Sequence, residues 1–377
     1  MDEKQHRPRV VVIFGGRSAE HGISCVSAGN VLKALDRSAY DVVAVGIARD
    51  GSWVLIDSEP DAVAETLRLG DDGSLPEVPT EGRPRVALRQ GAGELVADGA
   101  GVPGEALGPI DVVFPVMHGA YGQDGTLQGM LELAGVRYVG AGVLASATGT
   151  DKHQTKLVLR AHGVPVLPWE LVRAGDFDRD PEGVRERVAA LGFPAFVKPS
   201  RAGSSYGITR ITSVDELDGA IAAAREHDPK IVVEAAAADA RELEIGVLQG
   251  LQGAPPECSV LAEVRVDEGF DFYDFEAKYL AEEQTSLDVP ADVPDELALA
   301  ARELAAEVFE VLDVEGLARV DFFCLGDGEL VVNEIETMPG FTTTSMFPRV
   351  WDASGIGYAA LVDRLVQLAL TRSDGLR

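Results

Sequence analysis

The stretch from Arg319 to Gly340, RVDFFCLGDGELVVNEIETMPG, decides how the rest of the chain is interpreted. Polar and apolar residues alternate on both sides of Gly326-Asp327-Gly328, which predicts two short strands joined by a tight turn. Side chains on a strand point to opposite faces with a period of two. Arg319, Asp321 and Phe323 are therefore predicted to share one face of a β-hairpin.

The return strand of this hairpin carries two more carboxylates. By the same alternation, Leu330, Val332, Glu334 and Glu336 are predicted to share one face. If that face coincides with the face of Asp321, three carboxylates converge in an apolar setting, where an unpaired charge has a large desolvation cost. A divalent cation removes that cost, and carboxylate oxygens select hard ions such as Mg²⁺ or Mn²⁺. The alternative, which the hairpin alone leaves equally open, is a solvated acidic face.

The composition of the chain restricts the classes of protein it can be. A length of 377 residues is too great for one core of ordinary size, so two or three domains are expected. The 62 acidic and 33 basic residues give a net charge of -29, which predicts no nucleic acid and no membrane among its partners. Three cysteines without metal-ligand spacing fit a reducing cytoplasm. The charged N-terminus does not resemble a signal peptide, and no apolar run reaches the length of a membrane span.

Two polar, glycine-containing loops follow predicted buried strands in the first part of the chain. The apolar run at residues 10–14 leads into GGRSAEHGIS, and the run at residues 110–116 leads into HGAYGQDG. A strand, a glycine loop and a helix in succession predict a doubly wound α/β domain, in which ligands bind beyond the carboxyl ends of the strands. Gly15 and Gly16 do not fit the G-x-G-x-x-G fingerprint, which disfavours a nicotinamide-dependent oxidoreductase. Residues 57–109 are interpreted as one or two hairpins and a peripheral excursion without an assigned function.

The central part of the chain contains a loop suited to phosphate binding. The sequence PSRAGSSYG at residues 199–207 lies between two predicted strands, directly after Lys198. Backbone N–H groups and hydroxyls of such a loop can donate to phosphate oxygens, although the sequence is not a Walker A motif. Asp151 is the predicted N-cap of a helix with two lysines in its first turns. The aromatic and polar residues 271–280 are interpreted as a functional flap loop.

Five motifs in this order resemble those of the D-alanine–D-alanine ligases of the ATP-grasp superfamily, and together they cover nearly the whole chain. They are GGRSAEH-x-x-S at residues 15–24, HG-x-x-G-x-DG-x-x-QG at 118–129, KPS-x-x-GSS-x-G at 198–207, YDFEAKY at 273–279 and R-x-D…NE-I-x-TMPG-x-T at 319–342.

The resemblance implies a three-domain α/β fold. An N-terminal doubly wound parallel sheet (residues 1–145) is followed by a small central subdomain (146–235) and a C-terminal ATP-grasp domain with the metal site and the flap (236–377). The two α+β subdomains are expected to sandwich a nucleotide. The resemblance further implies ligation of two D-alanines through D-alanyl phosphate for peptidoglycan precursors, with ATP and two Mg²⁺ or Mn²⁺ ions. A homodimer in the cytoplasm is the implied assembly.

The resemblance also implies a role for each matching side chain. The implied catalytic residues, which close the site or stabilise the transferring groups, are Glu20, Ser204, Tyr279, Arg319 and Gly340. The residues implied to bind D-alanine are His118, Gln123 and Ser345. Those implied to bind ATP are Lys152, Lys198, Ser205, Glu234, Glu242 and Lys278. The implied metal ligands are Asp321, Glu334 and Glu336.

Two positions depart from the pattern of the family. Glu336 stands where the family usually has Asn, and Gln123 stands where it usually has Glu. One carboxylate is gained at the metal site and one is lost near the first substrate, so the two changes could compensate each other. Two alternatives stay open: a ligase with another second substrate (D-serine, D-lactate or another amine), and a nucleotide-binding paralogue of low activity. Tyr279 argues against D-lactate, because depsipeptide-forming relatives generally lack the flap tyrosine.

Overall fold

The computed structural model describes residues 7–56, 60–70, 72–99, 102–266 and 285–373. These residues form three sheets with helices packed against them, which confirms the predicted α/β fold. The predicted flap loop at residues 271–280, with Lys278 and Tyr279, lies outside the described residues. Among the helices described, none combines the length and the apolar character needed to span a bilayer.

The first sheet has seven strands: β1 Arg9–Gly15, β2 Asp41–Ile47, β3 Trp53–Leu55, β4 Arg85–Arg89, β5 Glu94–Gly99, β6 Val102–Pro109 and β7 Val112–Val116. Their order across the sheet is β6-β5-β4-β3-β2-β1-β7. Strands β2, β1 and β7 are parallel, as predicted, and β3 to β6 extend the sheet in antiparallel fashion. The excursion at residues 57–109 is therefore largely an extension of this sheet.

The helices among the described residues are α1 His21–Ala34, α2 Pro60–Thr66, α3 Thr126–Ala134, α4 Val143–Thr150, α5 Lys152–Ala161, α6 Asp176–Arg179, α7 Pro181–Ala189, α8 Leu217–Arg225, α9 Asp295–Val311, α10 Met346–Ala353 and α11 Tyr358–Thr371. The last helix, α11, returns to the first sheet and packs against α1 and β7. Its buried Leu361 and Val362 belong to the same hydrophobic core as Val10 and Phe14. This shared core fixes the first sheet against the C-terminal part of the chain.

The second and third sheets are antiparallel and carry the remaining strands. The second contains β8 Trp169–Val172, β9 Ala195–Pro199, β10 Thr209–Ile211 and β11 Ile231–Ala235, in the order β10-β9-β11-β8. The third contains β12 Arg241–Leu248, β13 Glu257–Val266, β14 Thr285–Asp288, β15 Leu317–Cys324 and β16 Leu330–Glu336, in the order β14-β13-β12-β15-β16. The three sheets lie within the three predicted domains, whose boundaries after residues 145 and 235 stay predictions.

The predicted hairpin is formed by β15 and β16, and it contains a β-bulge. Asp321 pairs with Glu334, but the next pair along the strands is Phe322 with Val332. Asn333 is therefore an extra residue on β16. A bulge of this kind shifts the alternation of side chains on one strand and strengthens the local twist.

The bulge corrects the predicted face of the return strand. Leu330 and Val332 pack with Ile335 in a hydrophobic core. The prediction that Leu330 and Val332 share a face with Glu334 and Glu336 is wrong, because one inserted residue moves every preceding side chain to the other face. The two glutamates remain on the acidic face of β15, since directly paired residues of antiparallel strands point to the same side.

Candidate active site

A cavity of about 220 Å³ lies between the second and the third sheets. Phe196, Leu167 and Phe323 contribute apolar wall, and the ends of β9, β11, β12 and β16 contribute charged side chains. Such a mixture of apolar walls and a few convergent polar groups is typical of ligand sites. Five of the six residues predicted to bind ATP line it together with the predicted metal ligand Glu334: Lys152, Lys198, Ser205, Glu234 and Glu242. The sixth, Lys278, lies outside the described residues.

Glu234 is a buried carboxylate held between two lysines. Its side chain is only 2% exposed, and Lys156 on α5 and Lys198 on β9 both contact it. Lys198 Nζ donates to Glu234 Oε2 at 2.5 Å. Burial opposes ionisation, but the two lysines together lower the pKa of Glu234 to about 2. Lys156 was not among the predicted site residues. Its place in the first turns of a helix, where a positive charge opposes the helix dipole, was a signal in the sequence that it could serve the site.

The glycine-serine loop at residues 199–207 reaches the N-terminal part of the chain. Ser204 Oγ donates a hydrogen bond of 2.5 Å to Glu20 Oε1. Ser204 and Ser205 have φ values of 49° and 58°, in a region that non-glycine residues rarely adopt. Gly119, with φ 73°, lies so close to Glu20 that a Cβ there would overlap the carboxylate. The structure thus brings the predicted pair Ser204 and Glu20 together, while Tyr279 lies outside the described residues.

Lys152 connects the same loop with the hairpin. Its Nζ donates to the carbonyl oxygen of Ala202 at 3.0 Å and lies 3.5 Å from Glu334 Oε2. Asp151 caps α5 by accepting a hydrogen bond from the backbone N–H of Gln154, as predicted. Because the cap fixes the start of α5, Lys152 is held at the mouth of the cavity beside the loop.

Arg319 forms a bidentate ion pair with Asp321, in which Nε and Nη2 donate to the two carboxylate oxygens at 2.7 Å and 2.6 Å. Glu244 on the neighbouring strand β12 lies 3.0 Å from the same Nε. Burial opposes the charge of Arg319, but the two carboxylates hold its pKa well above the ordinary range. Glu244 was missed at the sequence level. Its position two residues after Glu242 on a strand, and thus on the same face, was the available signal.

Glu336 is contacted from the loop that follows β7. Gln123 Nε2 donates to Glu336 Oε2 at 2.8 Å. Burial and then the charge of Glu334 raise the pKa of Glu336 to about 7. Gln123 and Glu336 are the two positions at which the chain departs from the family pattern, and the structure brings them into direct contact.

The carboxylates of Asp321, Glu334 and Glu336 lie on one face of the hairpin, and each already has a side-chain partner. Within the described ranges, no group of three His, Cys, Asp or Glu side chains is arranged to hold a metal ion as it stands. The donor set is nevertheless all oxygen, which fits Mg²⁺ or Mn²⁺. Binding of such an ion would require Asp321 to separate from Arg319 and Glu334 to separate from Lys152.

The residues predicted to bind D-alanine lie on loops that contact each other. Buried His118 has Nδ1 3.1 Å from the carbonyl oxygen of Met338, and its Nε2 is 3.1 Å from a serine hydroxyl of α1. Burial lowers the pKa of His118, so a neutral ring is favoured. Gly340 lies two residues beyond Met338 in the same loop. Ser345, which precedes α10, has its hydroxyl 2.7 Å from that of Thr342.

Comparison with known proteins gives matches along almost the whole chain. The family model described as D-ala D-ala ligase N-terminus matches residues 9–141, and the one described as D-ala D-ala ligase C-terminus matches residues 158–367. A D-alanine–D-alanine ligase of Arthrobacter sp. (strain FB24) is 52% identical, over 98% of this chain and 96% of the relative. A ligase of the same name from Mycobacterium ulcerans (strain Agy99) is 53% identical, over 98% of both chains.

Solved structures give the same result. The VanG D-Ala:D-Ser ligase from Enterococcus faecalis superimposes with a TM-score of 0.82 and is 30% identical, over 97% of this chain and 100% of that one. The D-alanine-D-alanine ligase from Coxiella burnetii has a TM-score of 0.79 and is 31% identical, over 97% and 94%. Since both family models match and full-length relatives share half of its residues, the chain belongs to the D-alanine–D-alanine ligase family.

Proposed function

We propose that this protein joins two D-alanines to D-alanyl-D-alanine, with conversion of ATP to ADP and phosphate, for the synthesis of peptidoglycan precursors. The observation that carries the proposal is the cavity between the two antiparallel sheets, where lysines and glutamates suited to a nucleotide converge. The Ser204–Glu20 hydrogen bond supports it, because it connects the loop over that cavity with the first domain. The names of the full-length relatives agree with this activity.

In the proposed ATP site, the lysines and the glutamates that line the cavity bind different parts of the nucleotide. Lys152 and Lys198 bind the phosphates, and the backbone of the glycine-serine loop donates to their oxygens. Glu234 accepts a hydrogen bond from the adenine amino group, and Glu242 binds the ribose. The pKa of about 2 supports this role for Glu234, because the carboxylate stays an acceptor at neutral pH. Ser205 lines the cavity on the loop side.

In the proposed metal site, Asp321, Glu334 and Glu336 hold two Mg²⁺ or Mn²⁺ ions. When bound, such ions would neutralise negative charge on the phosphates. Glu334 lies opposite Asp321 in the strand register, which supports joint binding of an ion. Release of Asp321 from Arg319 would free the guanidinium for a substrate oxygen. Lys278, by resemblance, reaches the γ-phosphate.

The proposed reaction has two steps. A carboxylate oxygen of the first D-alanine, whose ammonium group binds Glu20 near His118, attacks the γ-phosphorus, and ADP leaves. The amine of the second D-alanine then attacks the carbonyl carbon of the acyl phosphate, and phosphate leaves. Arg319 and Ser345 bind the second carboxylate, and Arg319 with the N–H of Gly340 stabilises the negative oxygen. Closure of the loops excludes water, which would otherwise hydrolyse the acyl phosphate.

We also propose, on the resemblance alone, that the protein acts as a homodimer in the cytoplasm. Analytical ultracentrifugation at micromolar concentrations tests the dimer, because a single species with the mass of one chain would contradict it.

The experiment that tests the function is phosphate release from ATP and Mg²⁺ with D-alanine alone, and with D-alanine plus D-serine, D-lactate or L-alanine. Products are identified by mass. D-alanine alone should support turnover and yield the dipeptide, and a Lys198→Ala variant should not, which excludes a contaminating ATPase. Turnover only with a mixed pair of substrates would favour a ligase with another second substrate. D-serine would then be the first candidate, because one structural relative is named a D-Ala:D-Ser ligase. ATP binding without turnover would favour a paralogue of low activity.

A further inference from the structure

A hydrogen bond joins the first domain directly to the hairpin of β15 and β16. Gln123 Nε2 donates to Glu336 Oε2 at 2.8 Å, across 213 positions of sequence. Gln123 is only 8% exposed and Glu336 is half-buried, so the bond is partly buried. The oxygen of Glu336 accepts this hydrogen bond, and the amide therefore presents its NH₂ group to the carboxyl group.

The backbone around Gln123 is fixed before any ligand binds. Its carbonyl oxygen accepts from Thr150 Oγ1 at 2.9 Å, and its N–H donates to the carbonyl of Gly119 at 3.1 Å. The preceding residue, Gly122, accepts from Nε2 of buried Gln128 at 2.8 Å. The side chain of Gln123 therefore extends from a rigid loop, which is the arrangement that a positioning residue needs.

We propose that Gln123 is a positioning residue for the metal ligand Glu336. Its amide occupies Oε2 and leaves Oε1 to bind the ion, and it holds the carboxylate beside Glu334 in spite of their mutual repulsion. Partners that orient a metal-binding side chain in this way determine affinity as well as geometry. The inference rests on the proposed function, because that function assigns Glu336 to the metal. It replaces the role in substrate binding that resemblance implied for Gln123.

The chemistry of the pair explains why an amide stands at this position. Glu336 supplies the acid, so its neighbour must be a donor, and a carboxylate at position 123 would face another carboxylate at hydrogen-bond distance. The family pattern, with Glu and Asn at the two positions, contains the same two groups in reverse order. The total charge of the pair is kept when both positions change together. The two departures are thus one reciprocal exchange.

The test compares the full-length protein with Gln123→Met, which keeps the length of the side chain and removes its donor. Gln90→Met, at an exposed turn, is the matched control. Mn²⁺ binding is measured by electron paramagnetic resonance without substrates, and kcat and KM for D-alanine are measured separately. We expect Gln123→Met to weaken Mn²⁺ binding about 10-fold, as is usual when a partner of a metal ligand is lost. We expect kcat to fall without a rise in KM for D-alanine, and Gln90→Met to behave as wild type.

A double exchange keeps the inference testable if single variants fold poorly. Gln123→Glu should lower the thermal unfolding midpoint in EDTA, and adding Glu336→Gln to this variant should raise the midpoint by more than Glu336→Gln raises that of the wild type, because the hydrogen bond reforms with reversed polarity. Unchanged Mn²⁺ affinity in Gln123→Met, together with a higher KM for D-alanine, would overturn the inference in favour of a substrate contact. If the wild-type protein ligates D-alanine and Gln123→Met binds Mn²⁺ as tightly as the wild type, only this inference is refuted. If Gln123→Met binds Mn²⁺ more weakly but the wild-type protein does not ligate D-alanine, only the proposed function is refuted.

Discussion

Glu336 is expected to make the metal-free protein less stable as the pH rises, which is opposite to the behaviour of a carboxylate in an ion pair. Burial and the charge of Glu334 raise the pKa of Glu336 from 4.5 to about 7. Between these two values the folded protein binds more protons than the unfolded chain, so the free energy of unfolding falls with pH. One pKa unit corresponds to about 1.4 kcal/mol, so the ionised carboxylate costs about 3 kcal/mol above pH 7.

The perturbation that tests this reasoning is Glu336→Gln. The substitution removes the charge, keeps the shape of the side chain, and retains an oxygen that can accept from the amide of Gln123. In EDTA at pH 8, the variant should be more stable than wild type by up to about 3 kcal/mol. Near pH 4.5 the gain should vanish, because the glutamate is then protonated in the folded protein and pairs like the amide.

Urea unfolding in EDTA at several pH values from 4.5 to 8 measures the difference. Glu329→Gln, on the exposed turn of the same hairpin, is the control and should change stability by less than about 0.5 kcal/mol at every pH. A gain that is absent at pH 8, or equal at pH 4.5 and pH 8, refutes the reasoning. Added Mn²⁺ should reverse the order, because an ion that binds the folded wild type stabilises it by mass action.

Three further predictions concern the loop, the cavity and the arginine. Ser204→Ala should lower kcat/KM about 10- to 100-fold, because a hydrogen bond to a charged group that ties the loop to the first domain is lost; steady-state kinetics checks this. Lys156→Met should leave Glu234 with one lysine and so raise the pKa of Glu234. The variant should bind ATP more weakly and lose about 3 kcal/mol of stability in urea unfolding at pH 7. Unchanged ATP affinity would contradict a role of Lys156 in the nucleotide site. Glu244→Gln should lower kcat about 10-fold with little change in KM, because Arg319 loses one of its two charged partners; an effect on KM alone would argue against this orienting role.

The parts of the fold that the sequence predicted are those in which local pattern and tertiary environment agree. Strand β1 is covered on both sides, so its residues are apolar without interruption, and the glycine loop after it is recognisable at once. The hairpin of β15 and β16 has a tight turn and alternating residues on both arms. Residues that motifs placed at strand ends, such as Lys198 and Glu234, line one cavity because the ends of neighbouring strands meet there.

The features that sequence reasoning missed depend on contacts between distant residues. The bulge at Asn333 arises from pairing with β15, and no local pattern distinguishes it from a regular strand. One or two hairpins were predicted within residues 57–109, and β4 to β6 do pair antiparallel, but their attachment to the first sheet through β3 depends on pairing between strands and was not predicted. The ion pair of Lys156 with Glu234 joins residues 78 positions apart, and neither residue identifies the other in sequence.

The contact between Gln123 and Glu336 changes the weight of the alternatives that sequence left open. A paralogue of low activity was supported only by these two departures, one of which adds a carboxylate at the metal site while the other removes a carboxylate near the first substrate. In the structure the amide satisfies the carboxylate at 2.8 Å, so neither side chain is an isolated defect. Glu334 and five of the residues proposed to bind ATP line one cavity. A protein that lost its activity would have no need to keep a half-buried acid paired with a donor, and we therefore interpret the reciprocal exchange as an alternative way to build the proposed metal site.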